Sequence, residues 1–203
     1  MVKLLHIDTS ILGDNSVSRM LSRAVVDRLT GEAPGTELIY RDLVADPIPH
    51  LTGRYLAGQS AEVQHDQALQ EDLALGGRAL DEFLAADTLV IGVAFYNFGV
   101  SSQLKAWVDR IAVAGKTFRY TEAGPEGLAG NKRVILAIAR GGFYGAGAPA
   151  ASFEHAESYL RAVFGLLGVQ QLEVVAAEGI AVGPEQRERA IMAALDQIAI
   201  LPA

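Results

Sequence analysis

A three-layer α/β sandwich is the fold this sequence predicts: one domain over residues 1–203, with a five-stranded parallel sheet of order 2-1-3-4-5 between helices. Three observations lead there. Short apolar runs recur at residues 3–8, 36–40, 88–94, 133–139 and 171–176, and helical spacing follows each. Such strict alternation builds a parallel sheet with helices on both faces, because parallel neighbours can be joined only by a crossover. The run from Leu89 to Ala94 is apolar at nearly every position, as a strand covered on both faces must be, and belongs at the sheet centre. Finally, 203 residues of which 50% are hydrophobic suffice for one sizeable core. Right-handed crossovers then restrict the topology to a doubly wound arrangement.

The elements follow in order. The first helix carries Met20, Leu21, Ala24, Val25 and Leu29 on one face, with Arg19, Arg23 and Asp27 off it. Residues 47–60 open with Pro47-Ile48-Pro49 and read as a long connection, since proline removes a donor and biases its predecessor toward extended geometry. The second helix, 66–86, aligns Leu69, Leu73, Leu80, Phe83 and Leu84. Ser101 or Ser102 caps a third, in which Leu104, Trp107, Val108 and Ile111 recur at three- and four-residue steps. Residues 118–128 contain a Gly124-Pro125 turn and read as an excursion over the surface. The fourth helix, 152–167, stops at Gly168. The fifth starts near Pro184 and buries Ala190, Ile191, Ala194, Leu195 and Ile198.

Composition removes several functions. The net charge is -7 and the 17 basic residues are scattered, which argues against nucleic acid as a partner. With no cysteine there is no disulfide, thiolate metal site or cysteine nucleophile, so any redox chemistry needs a cofactor. No apolar run approaches a membrane span, and the apolar part of residues 1–8 is too short for a signal peptide. A cytoplasmic location without membrane partners is the expectation.

Chemistry concentrates at three strand ends. After strand one, Ser10, Ser16 and Ser18 lie in a hydroxyl-rich loop that opens a helix. Free amides and the positive end of a helix dipole make such a loop a phosphate cradle. An N-cap with an Asx or Ser turn accounts for Asn15 or Ser16 but leaves the other serines without a task. After strand three come Phe95, Tyr96, Asn97 and Phe98, a seat for a flat ligand, although a packed strand-to-helix loop would fit the same residues. After strand four come Arg140, Gly141 and Gly142, where missing Cβ atoms let backbone amides approach a ligand. In the order 2-1-3-4-5 all three ends face one crevice.

Together these segments resemble the FMN-dependent NADH azoreductases, which also act as quinone reductases. Arg41-Asp42-Leu43, Asn97-Phe98 with Ser102-Gln103-Leu104-Lys105, Thr117-Phe118-Arg119-Tyr120-Thr121-Glu122 with Gly124-Pro125-Glu126-Gly127-Leu128, and Ala177-Glu178-Gly179-Ile180-Ala181 with Gly183-Pro184-Glu185 extend the resemblance over most of the chain. It implies a flavodoxin-like fold, non-covalent FMN, and a homodimer with FMN sites at the interface. It further implies hydride transfer from NADH or NADPH through flavin N5 to a quinone or azo acceptor, with ping-pong kinetics. Carried over by residue, Ser10, Ser16, Val17 and Ser18 would hold the phosphate and ribityl chain. Phe95, Tyr96, Asn97 and Phe98 would line one edge of the isoalloxazine. Arg140, Gly141 and Gly142 would approach its pyrimidine end with Phe143 beside them, and Phe98, Phe118 and Tyr120 would wall the substrate pocket. Residues 53–64 and 143–147 depart from a fixed family pattern, so substrate preference is not read from them.

Other signals lead nowhere. Gly115-Lys116-Thr117 imitates a P-loop, but Arg110 stands where its first glycine belongs and the segment follows a helix. Gly145-Ala146-Gly147 trails its strand and is followed by Pro149, so it reads as a loop rather than a dinucleotide fingerprint. A serine nucleophile would need a positioned base, and none of His6, His50, His65 and His155 lies in a triad motif. Asp8 and Asp14 have no clustered co-ligands, so no metal is expected. A receiver-type signalling domain would need an acidic phosphoacceptor at the end of strand three, where Phe95 to Phe98 offers none. A non-enzymatic FMN electron carrier shares the topology, but the aromatic excursion at 118–120 suits an enclosed substrate site better.

Overall fold

The computed structural model describes residues 2–60 and 62–202. In chain order its strands are β1 (Lys3–Asp8), β2 (Glu37–Asp42), β3 (Thr88–Ala94), β4 (Phe118–Thr121), β5 (Gly124–Gly127), β6 (Arg133–Arg140) and β7 (Gln171–Glu178). The helices are α1 (Val17–Glu32), α2 (Gly53–Gly58), α3 (Gln67–Ala85), α4 (Ser102–Ile111), α5 (Ala156–Leu166) and α6 (Pro184–Ala199). The main sheet is parallel throughout, in the order β2-β1-β3-β6-β7. This is the 2-1-3-4-5 arrangement once the separate β4–β5 pair is set aside.

Strand alternation divides the core into two faces. Leu5, Ile7, Leu89, Ile91, Val93, Leu136 and Ile138 meet Phe83 of α3, Trp107 of α4 and Phe164 of α5. On the reverse face Leu4, Val90, Ile135, Ala137 and Val175 meet Leu21 and Val25 of α1 and Ala194 and Ile198 of α6. His6 and Asp8 share the α1 side with Leu4, which brings two polar groups into contact with α1.

Helix starts follow capping chemistry. Ser16, Asp66 and Ser101 accept the backbone N–H three residues on, so Ser101 rather than Ser102 caps α4. The helix expected from residue 152 begins later. A short 3₁₀ turn at Ala151–Phe153 precedes it, and the Glu154 carboxylate accepts from the amides of Glu157 and Ser158, fixing the first turn of α5. The connection at 47–60 holds α2, started by Thr52, whose hydroxyl accepts from Tyr55 N–H.

The largest departure is at 118–128, where the excursion is an antiparallel hairpin. Phe118 opposes Gly127, and Arg119 and Glu126 form a bidentate ion pair. Phe118 is buried against the α3–α4–α5 core, which pins the hairpin to the body.

Candidate functional site

The loops leaving β1, β3 and β6 meet around a cavity of about 280 Å³ lined by Ser10, Ser16, Val17, Ser18, Phe95, Tyr96 and Gly141. The serine loop is already ordered. Ser16 Oγ accepts from Arg19 N–H and lies 3.1 Å from Ser18 Oγ. Ser10 Oγ lies 3.2 Å from the Tyr96 hydroxyl, joining the first loop to the aromatic turn. Beneath the loop, Arg19 donates from Nε and Nη2 to the Ser10 carbonyl at 3.1 and 2.8 Å, and from Nη1 and Nη2 to both oxygens of Asp42. Hydrogen bonds from Arg19 hold the Asp42 carboxyl below its ordinary pKa, and Asp42 in return raises that of Arg19.

Asp8 extends this brace. It accepts from the Ser22 hydroxyl at 2.8 Å and from Tyr40 at 3.0 Å. Burial, and then the Asp8 charge, push the Tyr40 hydroxyl up to about 12. His6 Nε2 lies 2.9 Å from Ser22 Oγ, so serine, histidine and aspartate do meet. This trio is no catalytic triad: Ser22 is wholly buried and its hydroxyl donates to the carboxylate rather than to an imidazole base.

The turn after β3 stores strain. Tyr96 and Gly99 exchange both backbone hydrogen bonds at 3.0 Å, leaving a two-residue loop with φ of +48° at Asn97 and +71° at Phe98. Positive φ suits the mirror-image hairpin turn, but a bulky aromatic there costs about 1–2 kcal/mol. Surrounding contacts hold it. The Phe98 carbonyl accepts from His155 N–H, and its ring lies 5.2 Å from Phe153 and 6.1 Å from Tyr144. The ring nevertheless stays 44% exposed and lines neither the serine cavity nor the groove of about 860 Å³ that runs from Ile11 past Asn97 to Lys105.

Two comparisons with known proteins address the family. A family model described as a flavodoxin-like fold matches residues 2–200. A relative in Methylorubrum extorquens (strain PA1), an FMN-dependent NADH:quinone oxidoreductase, is 57% identical over 202 residues and spans all of both chains. The chain belongs to this flavodoxin-like family. A further FMN-dependent NADH:quinone oxidoreductase, from Xanthomonas campestris pv. campestris, is 58% identical and covers 99% of this chain and all of the relative. Among solved structures, azoreductase from Bacillus anthracis str. Sterne superposes with a TM-score of 0.86 at 30% identity, covering 98% of this chain and 97% of that one. An FMN-dependent NADH-azoreductase from B. anthracis str. Ames Ancestor, in complex with FMN, gives 0.86 at 26% identity, with 98% of each chain covered.

Within this family fold, the residues expected from the sequence separate into three groups. Ser10, Ser16, Val17, Ser18, Phe95, Tyr96 and Gly141 share the cavity, and Asn97 lies on the groove beside it. Hydroxyls and a helix-opening backbone suit a phosphate, and the adjoining aromatics suit a planar ring, so the residues present fit FMN. Arg140, Gly142 and Phe143 adjoin the site with constrained roles. Arg140 Nη2 pairs with Glu154 and Glu157 at 3.2 and 2.8 Å and Nη1 with Glu178 at 2.9 Å, which leaves Nε buried without a partner among the described residues. Burial opposes the Glu157 charge, but hydrogen bonds from Arg140 and Arg161 outweigh it and keep its pKa low. The Gly142 carbonyl accepts from Gly179 N–H, and the Phe143 ring lies where a Cβ on Gly179 would sit, at 2.6 Å.

Phe118 and Tyr120 form the third group. Helices run back along the sheet, so the C-terminal end of α5 lies at the opposite strand ends from the serine loop. The hairpin packs there, with a Cβ on Gly127 only 2.1 Å from Gly168 N. One chain therefore does not bring Phe118 or Tyr120 to the cavity.

Three site residues went unread in the sequence. Tyr144, 4.7 Å from Phe95 between ring centroids, was signalled only by lying beyond the glycine pair. Phe153 carries no local signal. Arg187 of α6 lines the serine cavity from an element remote in sequence. No cluster of three or more His, Asp or Glu residues suited to a metal occurs among the described residues, and no described helix is long and apolar enough to cross a membrane.

Proposed function

We propose that this chain is an FMN-dependent NADH:quinone oxidoreductase that also cleaves azo compounds. One observation carries the reading: the serine cavity and the aromatic groove share Phe95 and Tyr96, with Ser10 Oγ 3.2 Å from the Tyr96 hydroxyl, so a phosphate cradle adjoins a seat for a planar ring.

Bound FMN supplies hydride acceptance and release. The chain supplies placement. Ser10, Ser16 and Ser18, with the amides opening α1, hold the phosphate. Phe95 and Tyr96 fix one edge of the ring, and Asn97 with the backbone at Gly141 and Gly142 offers hydrogen-bond donors to its polar edge. Phe98, in ring contact with Tyr144 and Phe153, would add apolar surface beside the bound ring. Donor and acceptor would use the same flavin face in turn, which gives ping-pong kinetics without a side-chain nucleophile. Stopped-flow mixing of the FMN-loaded protein with NADH or NADPH, then with a quinone and an azo panel, tests this. Rapid nucleotide-driven bleaching and acceptor-driven recovery are expected; no bleaching with either nucleotide would refute the assignment.

The working form in this reading is a homodimer. Phe118 and Tyr120 lie at the wrong end of their own sheet to wall the pocket, so a second copy supplies them, with an FMN site at each end of the interface. Light scattering at assay concentration should return twice the chain mass, and a monomer with full turnover would overturn this. Use of NADH, an intracellular donor, supports a cytoplasmic location.

A further inference from the structure

We propose that Arg187 is the cationic contact for the FMN phosphate in this chain, an inference that rests on the cofactor reading above. A phosphomonoester carries roughly 1.5 to 2 negative charges at neutral pH. The serine loop meets it with hydroxyls and amides, but its own charged side chain is the acidic Asp14. The nearby cations of α1 are occupied. Arg19 is held by Asp42 and the Ser10 carbonyl, and Arg23 pairs with Asp27.

Arg187 differs from both. It is half-buried, lines the same cavity as Ser10, Ser16 and Ser18, and has no carboxylate within 4 Å among the described residues. Its Nη2 reaches the Asn15 carbonyl, immediately before the cap of α1, at a loose 3.5 Å. Helix energetics do not account for this placement, because a guanidinium near the start of α6 and beside the start of α1 faces the positive ends of two dipoles. An anion between the serines and Arg187 removes that conflict. A guanidinium fork also matches phosphate geometry and adds the full positive charge that hydroxyls and amides lack.

The test compares FMN with riboflavin, which lacks the phosphate. Wild type, Arg187→Ala and Arg187→Lys are each titrated by flavin fluorescence quenching at low and high salt, with thermal melts as a folding check. Arg187→Ala should raise the FMN dissociation constant about 10- to 100-fold, the span of one charge-assisted contact, and change riboflavin binding less than about twofold. It should also flatten the salt dependence of FMN binding, and Arg187→Lys should restore part of both. Equal weakening of FMN and riboflavin, or an unchanged salt slope, would mark Arg187 as a structural tie between α6 and Asn15 and overturn the proposal. A wild-type protein that fails to prefer FMN over riboflavin would defeat the phosphate cradle itself, and the role of Arg187 with it.

Discussion

The loop after β1 and the turn after β3 touch through Ser10 and Tyr96, yet they are held in opposite ways. A polar network beneath the first satisfies the Ser10 carbonyl, the Ser16 cap and the Asp8 carboxylate. The second keeps two non-glycine residues at positive φ and depends on neighbouring rings and one backbone bond for support. In the proposed reading the first loop, as the phosphate end, is built for fixed geometry, and the turn after β3 spends stability to present an aromatic side chain. Damage to the first should appear in folding and cofactor affinity, whereas damage to the second should appear in turnover.

The largest effect is expected from Gly92→Ala. A Cβ there would stand 2.5 Å from Asp8 Oδ1 and 3.1 Å from the Ser18 backbone oxygen, so the network must shift. A loss of about 3 kcal/mol in urea unfolding is expected, as for an overpacked core. Wild-type stability in this variant would show that the network is slack.

Arg19→Ala comes next. It strands the Ser10 carbonyl and leaves Asp42 only its backbone donors at Val44 and Ala45, and should cost about 2 kcal/mol together with a tenfold or greater loss of FMN affinity. The acid limb sharpens this. Because the Asp42 pKa is lowered in the folded state, its stabilisation is full above the ordinary carboxylate range near pH 4 and drains as pH falls through the lowered value. Arg19→Ala should lose that part of the acid dependence, which urea melts at successive pH values would measure.

Phe98→Gly probes the other region. Relief of the strained φ offsets the lost ring contacts, so stability should stay within about 1 kcal/mol of wild type while kcat/KM for quinone drops at least about fivefold. Equal turnover would reduce the turn to packing. The smallest effect belongs to Tyr40→Phe. The Tyr40 hydroxyl is raised from 10.0 to about 12, so its contribution is whole below pH 10 and disappears as pH climbs toward 12. The variant should be slightly less stable than wild type at neutral pH, and the gap should close across that window.

The strand order was legible because apolar runs and helix faces alternate along the whole chain, and a parallel sheet has few ways to close under right-handed crossovers. The hairpin at 118–127 was not. Its four-residue strands are too short for alternation to register, and Gly124-Pro125 reads equally well as a loop. In the site, the serines, Tyr96 and Gly141 could be found because they adjoin strand ends. Tyr144, Phe153 and Arg187 could not, since their relevance depends on how distant elements dock. Arg140 shows a subtler limit. Its place at the end of β6 could be read, but Glu154, Glu157 and Glu178 are scattered along the chain, and only the folded arrangement reveals that they claim its side chain.

The tight seam between Gly127 and Gly168 has a consequence for how a complete pocket works. With no space for even a methyl group at that contact, and with Phe118 sunk in the core, both outer ends of the hairpin are anchored, which suits it to the proposed role of a fixed wall. In a dimer that borrows this wall, pocket shape is decided once, at assembly, and is not renewed with each turnover. Selection among acceptors then becomes a property of quaternary fit.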